Sequence, residues 1–263
     1  MSRPSPIALP ETEQREITRL CVLSGLLVLQ HGAESALAES VASRLGLALG
    51  LESVEVGISS SYLTLTTLSG GHCITTLRRH MDRGINMHVV TEVQRTMLMA
   101  ESGQADASEV GRRLSSIVPL RYPKPVVAVM IGLSCASFCR LMGGDLASCA
   151  MTFASSASAM VVRQVLAARH FNPLVTFGAT AFVATSIACQ ASLHGIGNNP
   201  TSVMAASVLL LIPGFPLINA VSDMVKGYVN TGMARWTLAT LLILSTSVGI
   251  LLALTLWKVK IWI

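Results

Sequence analysis

The pattern of apolar and polar positions changes character at Lys124. Before it, apolar residues recur with helical and strand periods. Ile17, Leu20, Cys21, Ser24, Leu27 and Val28 fall on one helix face, and Leu37, Val41, Leu45 and Leu49 on a second. Alternation then takes over at Val54, Val56 and Ile58, and again at Leu63 and Leu65 among threonines. Ser69-Gly70-Gly71-His72 reads as a turn into a strand Cys73–Leu77. Two further helices are predicted, one near Ile85–Met99 and one carrying Val110, Leu114 and Ile117 on a stripe. The sum is a small soluble α+β domain over residues 13–120, preceded by a disordered tail over residues 1–12.

Beyond Lys124 the chain breaks into runs without Asp, Glu, Lys or Arg: Pro125–Cys139, Leu146–Val162, Asn172–Leu193, Gly195–Ser222 and Trp236–Trp257. A bilayer crossing takes about 20 apolar residues. The last three runs meet that length. The first two have 15 and 17 residues, and the first lengthens if Arg140 snorkels to the interface. The expectation is an α-helical integral membrane protein with about five transmembrane helices within residues 121–263, near 125–142, 146–162, 173–193, 202–221 and 236–257. The second run is rich in Ala, Ser and Thr, which allows close helix approach and suits a central position. Leu20–Leu29 is apolar but too short to cross.

Composition agrees: 51% of the 263 residues are hydrophobic and 13% charged, about half the charge of a soluble domain. That excludes an ordinary cytosolic enzyme and a disordered chain. Charge is also unevenly placed. Residues 1–124 hold 12 Lys/Arg and 12 Asp/Glu, and residues 125–263 hold 7 and 2. The net charge of +5 therefore lies in the apolar half. With the N-terminus inside, Arg112, Arg113, Arg121, Lys124, Arg163, Arg169, Lys226 and Arg235 fall on the inner side. Arg140, Lys258 and Lys260 fall on the outer side. Eight against three favours a cytoplasmic N-terminal domain and an external C-terminus. Trp236, Trp257 and Trp262 suit interfacial anchors. The cysteines at 21, 73, 135, 139, 149 and 189 form no CxxC pair and read as small core residues. Neither HExxH nor GxxxxGK[ST] occurs, which argues against a metalloprotease motif and a built-in ATP motor. No secretory signal peptide is evident.

Polar groups in or beside an apolar span are costly unless used or paired. The densest such set is Leu211-Ile212-Pro213-Gly214-Phe215-Pro216-Leu217-Ile218-Asn219, continuing to Asp223, Lys226 and Arg235. Two prolines break a helix there, and freed carbonyls must line a cavity or find neighbours. Either the break contributes to a transport path, as in carriers with interrupted helices, or it is a structural kink with Asn219 as packing glue. Asp223 can carry a coupling proton, or it is an edge residue paired with Lys226 or Arg235. Asp145, after Gly143-Gly144 and near Arg140, reads as a local ion pair or helix N-cap. In the polar half, Gly32 suits a C′ position and Glu34 the next helix N-terminus. A hydrolytic or metal site from His31, Glu34, His72, His80 and His88 matches no ligand spacing. A solvated loop or contact surface is the plainer account.

Several long segments carry a resemblance: LLVLQHGAES (26–35), SVEVGISS and LTLTTL (53–60, 63–68), RGINMHVVTEVQR (83–95), PLRYP (119–123), MAASVLLLIPGFPLINAVSDMVKG (204–227) and NTGMARW (230–236). From about Thr12 to Trp262 the chain resembles the threonine/serine exporter family, and within it the larger subunit of the split type. The resemblance implies a bacterial inner-membrane protein with a cytoplasmic N-terminal domain followed by transmembrane helices, which with five crossings puts the C-terminus in the periplasm. It also implies succinate export together with a smaller YjjB-type membrane subunit. The matching positions are Pro213, Gly214, Pro216, Asn219, Asp223 and Arg235, with His31, Gly32, Glu34, Arg83 and Gly84 in the polar half. The resemblance assigns them no settled role.

Five crossings put the two ends on opposite sides, and no inverted repeat is visible within the chain. A second chain supplying the other half of a carrier is consistent with that. The leading expectation is thus a non-enzymatic subunit of a secondary transporter exporting succinate, driven by an ion or proton gradient. Lys226 and Arg235 would attract the dianion at the cytoplasmic mouth. The alternatives are a threonine/serine exporter subunit, a membrane-anchored hydrolase using His31 and Glu34, and a scaffold beside a pore-forming partner. No cofactor, metal or nucleic acid is expected. The partners are the small subunit, the substrate and the lipid bilayer, with oligomerisation left open.

Overall fold

The computed structural model describes residues 9–259. The chain folds into two compact units. One comprises the N-terminal residues through Leu120 together with Phe215–Trp236; the other comprises Arg121–Gly214 and the residues from Thr237 onward. The polar half does not stand alone, because a later segment of 22 residues packs as part of the same unit.

In the first unit, α1 (Glu11–Gln30) and α2 (Ser35–Ala48) pack together, and α1 covers a three-stranded antiparallel meander β1 (Ser53–Ile58), β2 (Tyr62–Ser69) and β3 (His72–Arg79). The sheet order is β1-β2-β3, with Val56 opposite Leu65 and Leu65 opposite Thr76. Alternate residues of β2, Leu63, Leu65, Thr67 and Ser69, are buried, as the period of two requires. The expected turn is present: Gly70 and Gly71 both take positive φ, at 55° and 79°, which a two-residue type I′ hairpin demands. Buried Thr67 is matched by Thr18 at 2.8 Å, while Gln14 Nε2 donates to the Thr67 and His72 carbonyls. Burial pushes the Cys21 thiol up to about 12, consistent with an inert core thiol.

Two local expectations shift. Glu11 and Thr12, placed in the disordered tail, are helical, with Pro10 at the N-cap of α1; residues 1–8 lie outside the described range. Ile85 precedes α3 (Met87–Glu101), because Asn86 caps that helix. α4 (Ala107–Ser116) buries Val110 and Leu114 and ends before Ile117.

The second unit contains α5 (Lys124–Leu141), α6 (Leu146–Ala168), α7 (Pro173–Leu193), α8 (Pro200–Ser207) and a 3₁₀ turn Leu209–Leu211. Asp145, Asn172 and Asn199 cap α6, α7 and α8, each accepting from a backbone N–H within the first turn. The N-cap reading of Asp145 therefore holds. Apart from Gly214, α9 (Gly214–Val225) belongs to the first unit, as does the start of α10 (Val229–Trp257) through Trp236; the rest of α10 belongs to the second. Among the described residues four helices are long and apolar enough to cross a membrane, or up to five if Pro200–Leu211 and Gly214–Val225 count as one broken span.

The helix limits differ from the uncharged runs. α6 continues past Val162 to Ala168, and α10 begins at Val229 rather than near residue 236. A run without charges stops at the first Arg, whereas backbone hydrogen bonding does not, so Arg163 and Arg235 both sit on helices. The helix expected near 202–221 is interrupted and extends to Val225. Cys135, Cys139 and Cys189 are buried, but Cys73 is exposed on β3 and is not a core residue. Trp236 and Trp257 are exposed, and Lys260 and Trp262 lie outside the described residues.

Candidate functional site

The α1–α2 junction and the helices α9 and α10 form a polar cluster within the first unit. α1 ends in a Schellman motif. Gly32, at φ 92°, donates its N–H to Leu29 O, and Ala33 donates to Val28 O at 3.1 Å. Gly32 is thus the expected C′ residue, and a Cβ there would also meet Ile85 Cγ1 at 3.0 Å. Two residues later α2 begins, leaving its first N–H groups without helical acceptors.

The first of those groups is met from far along the chain. Asp223 on α9 is fully buried. Its Oδ1 accepts from the Ser35 N–H at 2.8 Å and its Oδ2 from the Ser35 hydroxyl at 3.0 Å. A carboxylate at a helix N-terminus also meets the favourable end of the helix dipole. Arg235 on α10 supplies the countercharge, its Nη1 lying 3.0 Å from Asp223 Oδ2 as an ion pair without hydrogen-bond alignment. The same guanidinium donates from Nη2 to the Ala33 carbonyl at 2.9 Å.

Glu34 is the N-cap residue of α2, yet its side chain makes no capping bond. Its carboxylate instead accepts from the Ser222 hydroxyl and from Lys226 Nζ. The Lys226 and Ser222 hydrogen bonds hold the Glu34 carboxyl below its ordinary value, against a smaller opposing effect of burial. Asp223 therefore caps α2 in place of the Glu34 side chain; of the two partners open to Asp223 it pairs with Arg235, and Lys226 pairs with Glu34.

Around this centre, Asn219 Nδ2 donates to the Gly32 carbonyl at 2.7 Å, and the Tyr228 hydroxyl donates to Glu39. Burial, reinforced by Glu39, raises the Tyr228 hydroxyl pKa. At Gly232 a Cβ would stand 2.5 Å from Met224 Cγ and 2.8 Å from the Ala220 carbonyl, so α9 and α10 approach closely there.

The structure thus gathers Gly32, Glu34, Asn219, Asp223, Lys226 and Arg235 into one set. Arg83 touches it through its backbone N–H, which donates to Gln30 O at 2.9 Å, while its side chain is exposed. Gly84, at φ 86°, turns that loop. Pro213, Gly214 and Pro216 stand at the helix break. His31 is buried with Nδ1 against the Leu27 carbonyl at 2.8 Å. His80 turns to the Ser59 carbonyl. Among the described residues no group of three or more His, Cys, Asp or Glu is placed to hold a metal ion. Ser35, Ser222, Tyr228 and Glu39 are members the sequence reading missed. Only Ser35, beside Glu34 at a helix start, carried a local signal.

Sequence comparison gives this geometry a context. The family model described as "Putative threonine/serine exporter" (ThrE) matches residues 19–257. The "Probable succinate transporter subunit YjjP" of Escherichia coli (strain K12) is 54% identical over 252 residues, covering 95% of this chain and 98% of that protein. The protein of the same name from Klebsiella aerogenes is 52% identical over 253 residues, covering 96% and 98%. A "Probable threonine/serine exporter" of Mycobacterium tuberculosis is 24% identical over 247 residues, 91% of this chain but 46% of its own length. No solved structure matches the chain. The chain belongs to the threonine/serine exporter family, as the segments quoted above implied. Membership in a transporter family and the set of apolar helices together support a membrane protein.

Proposed function

We propose that this chain is the larger subunit of a secondary transporter that exports succinate across the bacterial inner membrane, working with a smaller YjjB-type membrane subunit. The observation that carries the reading is identity above half, over nearly the full length, to two proteins named as succinate transporter subunits. The excess of Lys/Arg on the side of the N-terminal domain supports a cytoplasmic placement for that domain. In this reading the break at Pro213–Pro216 contributes to the path. The Asp223–Arg235–Ser35 and Glu34–Lys226–Ser222 contacts hold α9 and α10 on the α1–α2 junction.

Threonine or serine is the alternative substrate, favoured by the family description and the mycobacterial relative. The hydrolase reading loses support, because Glu34 is engaged by Ser222 and Lys226 and His31 by its own helix. The test is succinate efflux from preloaded cells lacking their native exporter, with the chain expressed alone and beside the small subunit. Efflux only with both chains supports the two-subunit carrier. Efflux with this chain alone supports a homo-oligomer. Threonine efflux without succinate efflux moves the assignment to the amino-acid exporter.

A further inference from the structure

Among the described residues of the second unit, Arg163 is the cation set furthest from the ends of a membrane-length helix. It lies on α6 a turn and a half before the helix ends at Ala168. A charge in an apolar helix is normally paired or faces a functional cavity. In Arg121–Gly214 and beyond Trp236 the sole acidic residue is Asp145. It caps the opposite end of α6, 18 residues or about 27 Å away at 1.5 Å per residue. No acidic side chain of this unit can reach Arg163, and it forms no ion pair among the described residues.

Its present contacts are weak. The guanidinium carbon stands 4.7 Å from the centre of the Phe177 ring on α7, a cation–π arrangement. Nη1 lies 3.4 Å from the Leu210 carbonyl, beyond the usual 2.7–3.2 Å range. That carbonyl is free for a reason written in the sequence. Pro213, three residues on, has no N–H, and the Gly214 N–H turns to Ile212 O at 2.8 Å instead. The remaining Arg163 donors make no hydrogen bond among the described residues, and none of them is both sealed from solvent and orphaned. A half-buried, ring-supported planar fork with open donors, beside a helix break, has the chemistry of a carboxylate receptor.

We propose that Arg163 binds a carboxylate of the transported anion, with Phe177 as its platform and the Leu210 carbonyl marking the rim of the site. The inference rests on the transport reading and names the residue by which a dicarboxylate is selected.

The test uses the complex of this chain with its small subunit, reconstituted in vesicles, with succinate flux measured for the native complex, R163Q, R163K and F177L. Losing a charge-assisted hydrogen bond should raise KM for R163Q about tenfold or more, with an intermediate rise for R163K. R163Q should also cease to prefer succinate over its monoamide. Native KM in R163Q overturns the proposal. If R163Q fails to reach the vesicles, native KM in both R163K and F177L does so. The other source of an anion is a lipid phosphate. An R163Q defect seen with phosphatidylglycerol and absent in pure phosphatidylcholine assigns Arg163 to lipid and overturns the substrate role. If the native complex carries no succinate, the transport reading has failed. Succinate-induced thermal stabilisation of the complex then decides the inference alone: lost in R163Q it stands, retained in R163Q or absent altogether it falls.

Discussion

The two units differ in how far their charged and polar groups reach for partners. In the second, hydroxyls mostly turn back on their own helix: Thr152 donates to Ser148 O, Ser156 to Thr152 O, Thr180 to Thr176 O and Ser207 to Val203 O. These bonds are local, need no partner element and leave flat, small surfaces for close packing. Gly178 and Gly249 show the result, since a Cβ on Gly249 would stand 2.2 Å from the Gly178 carbonyl. In the first unit the polar groups reach across the chain. Ser35 meets Asp223, Glu34 meets Lys226 and Arg235 meets Ala33, at separations of 188, 192 and 202 residues. Local bonding tolerates substitution; a long-range charged cap is an all-or-none contact, because removing one member strands the others.

The largest break in this contrast should come from Asp223→Asn. Removing one member of a buried ion pair costs about 3–5 kcal/mol. The variant should therefore lose thermal stability and membrane abundance, and Asp223→Asn with Arg235→Gln should recover part of both. A double-mutant cycle on melting temperature reads the coupling. Full abundance with abolished export would instead point to a proton-carrying Asp223.

Gly249→Ala comes next. It drives a methyl into the backbone of α7 and should destabilise by about 1–3 kcal/mol through overpacking. Melting of the detergent-extracted chain checks it. An unchanged melting temperature would mean that the α7–α10 contact is looser than the geometry shows.

The smallest effect concerns pH. The Glu34 carboxyl titrates below its ordinary 4.5 when folded, so the stability it adds is present above that pH and is lost as pH falls through the lower, folded value. Because the pair is partly exposed to water, the contribution should stay under about 1 kcal/mol. Stability of Glu34→Gln should therefore approach that of the native chain as pH drops below 4.5. A constant difference down to pH 3 would place the effect in packing rather than charge.

The apolar runs, the proline break and the Gly70-Gly71 turn were legible in the sequence, because each depends on neighbours a few residues apart. Gly32 and Asp145 were legible for the same reason. What the tertiary structure alone decided was which acid serves which partner. Glu34 stands where a local rule puts a helix cap, yet Asp223 fills that place and Glu34 turns to Lys226 and Ser222. Likewise Arg163 and Arg235 both read as flanking charges, but one lies against a ring with no ion pair among the described residues and the other neutralises a buried carboxylate. Periodicity and capping are short-range and leave their mark in adjacent residues. The pairing of charges some 190 residues apart depends on which helices the fold brings together, and no local pattern encodes that.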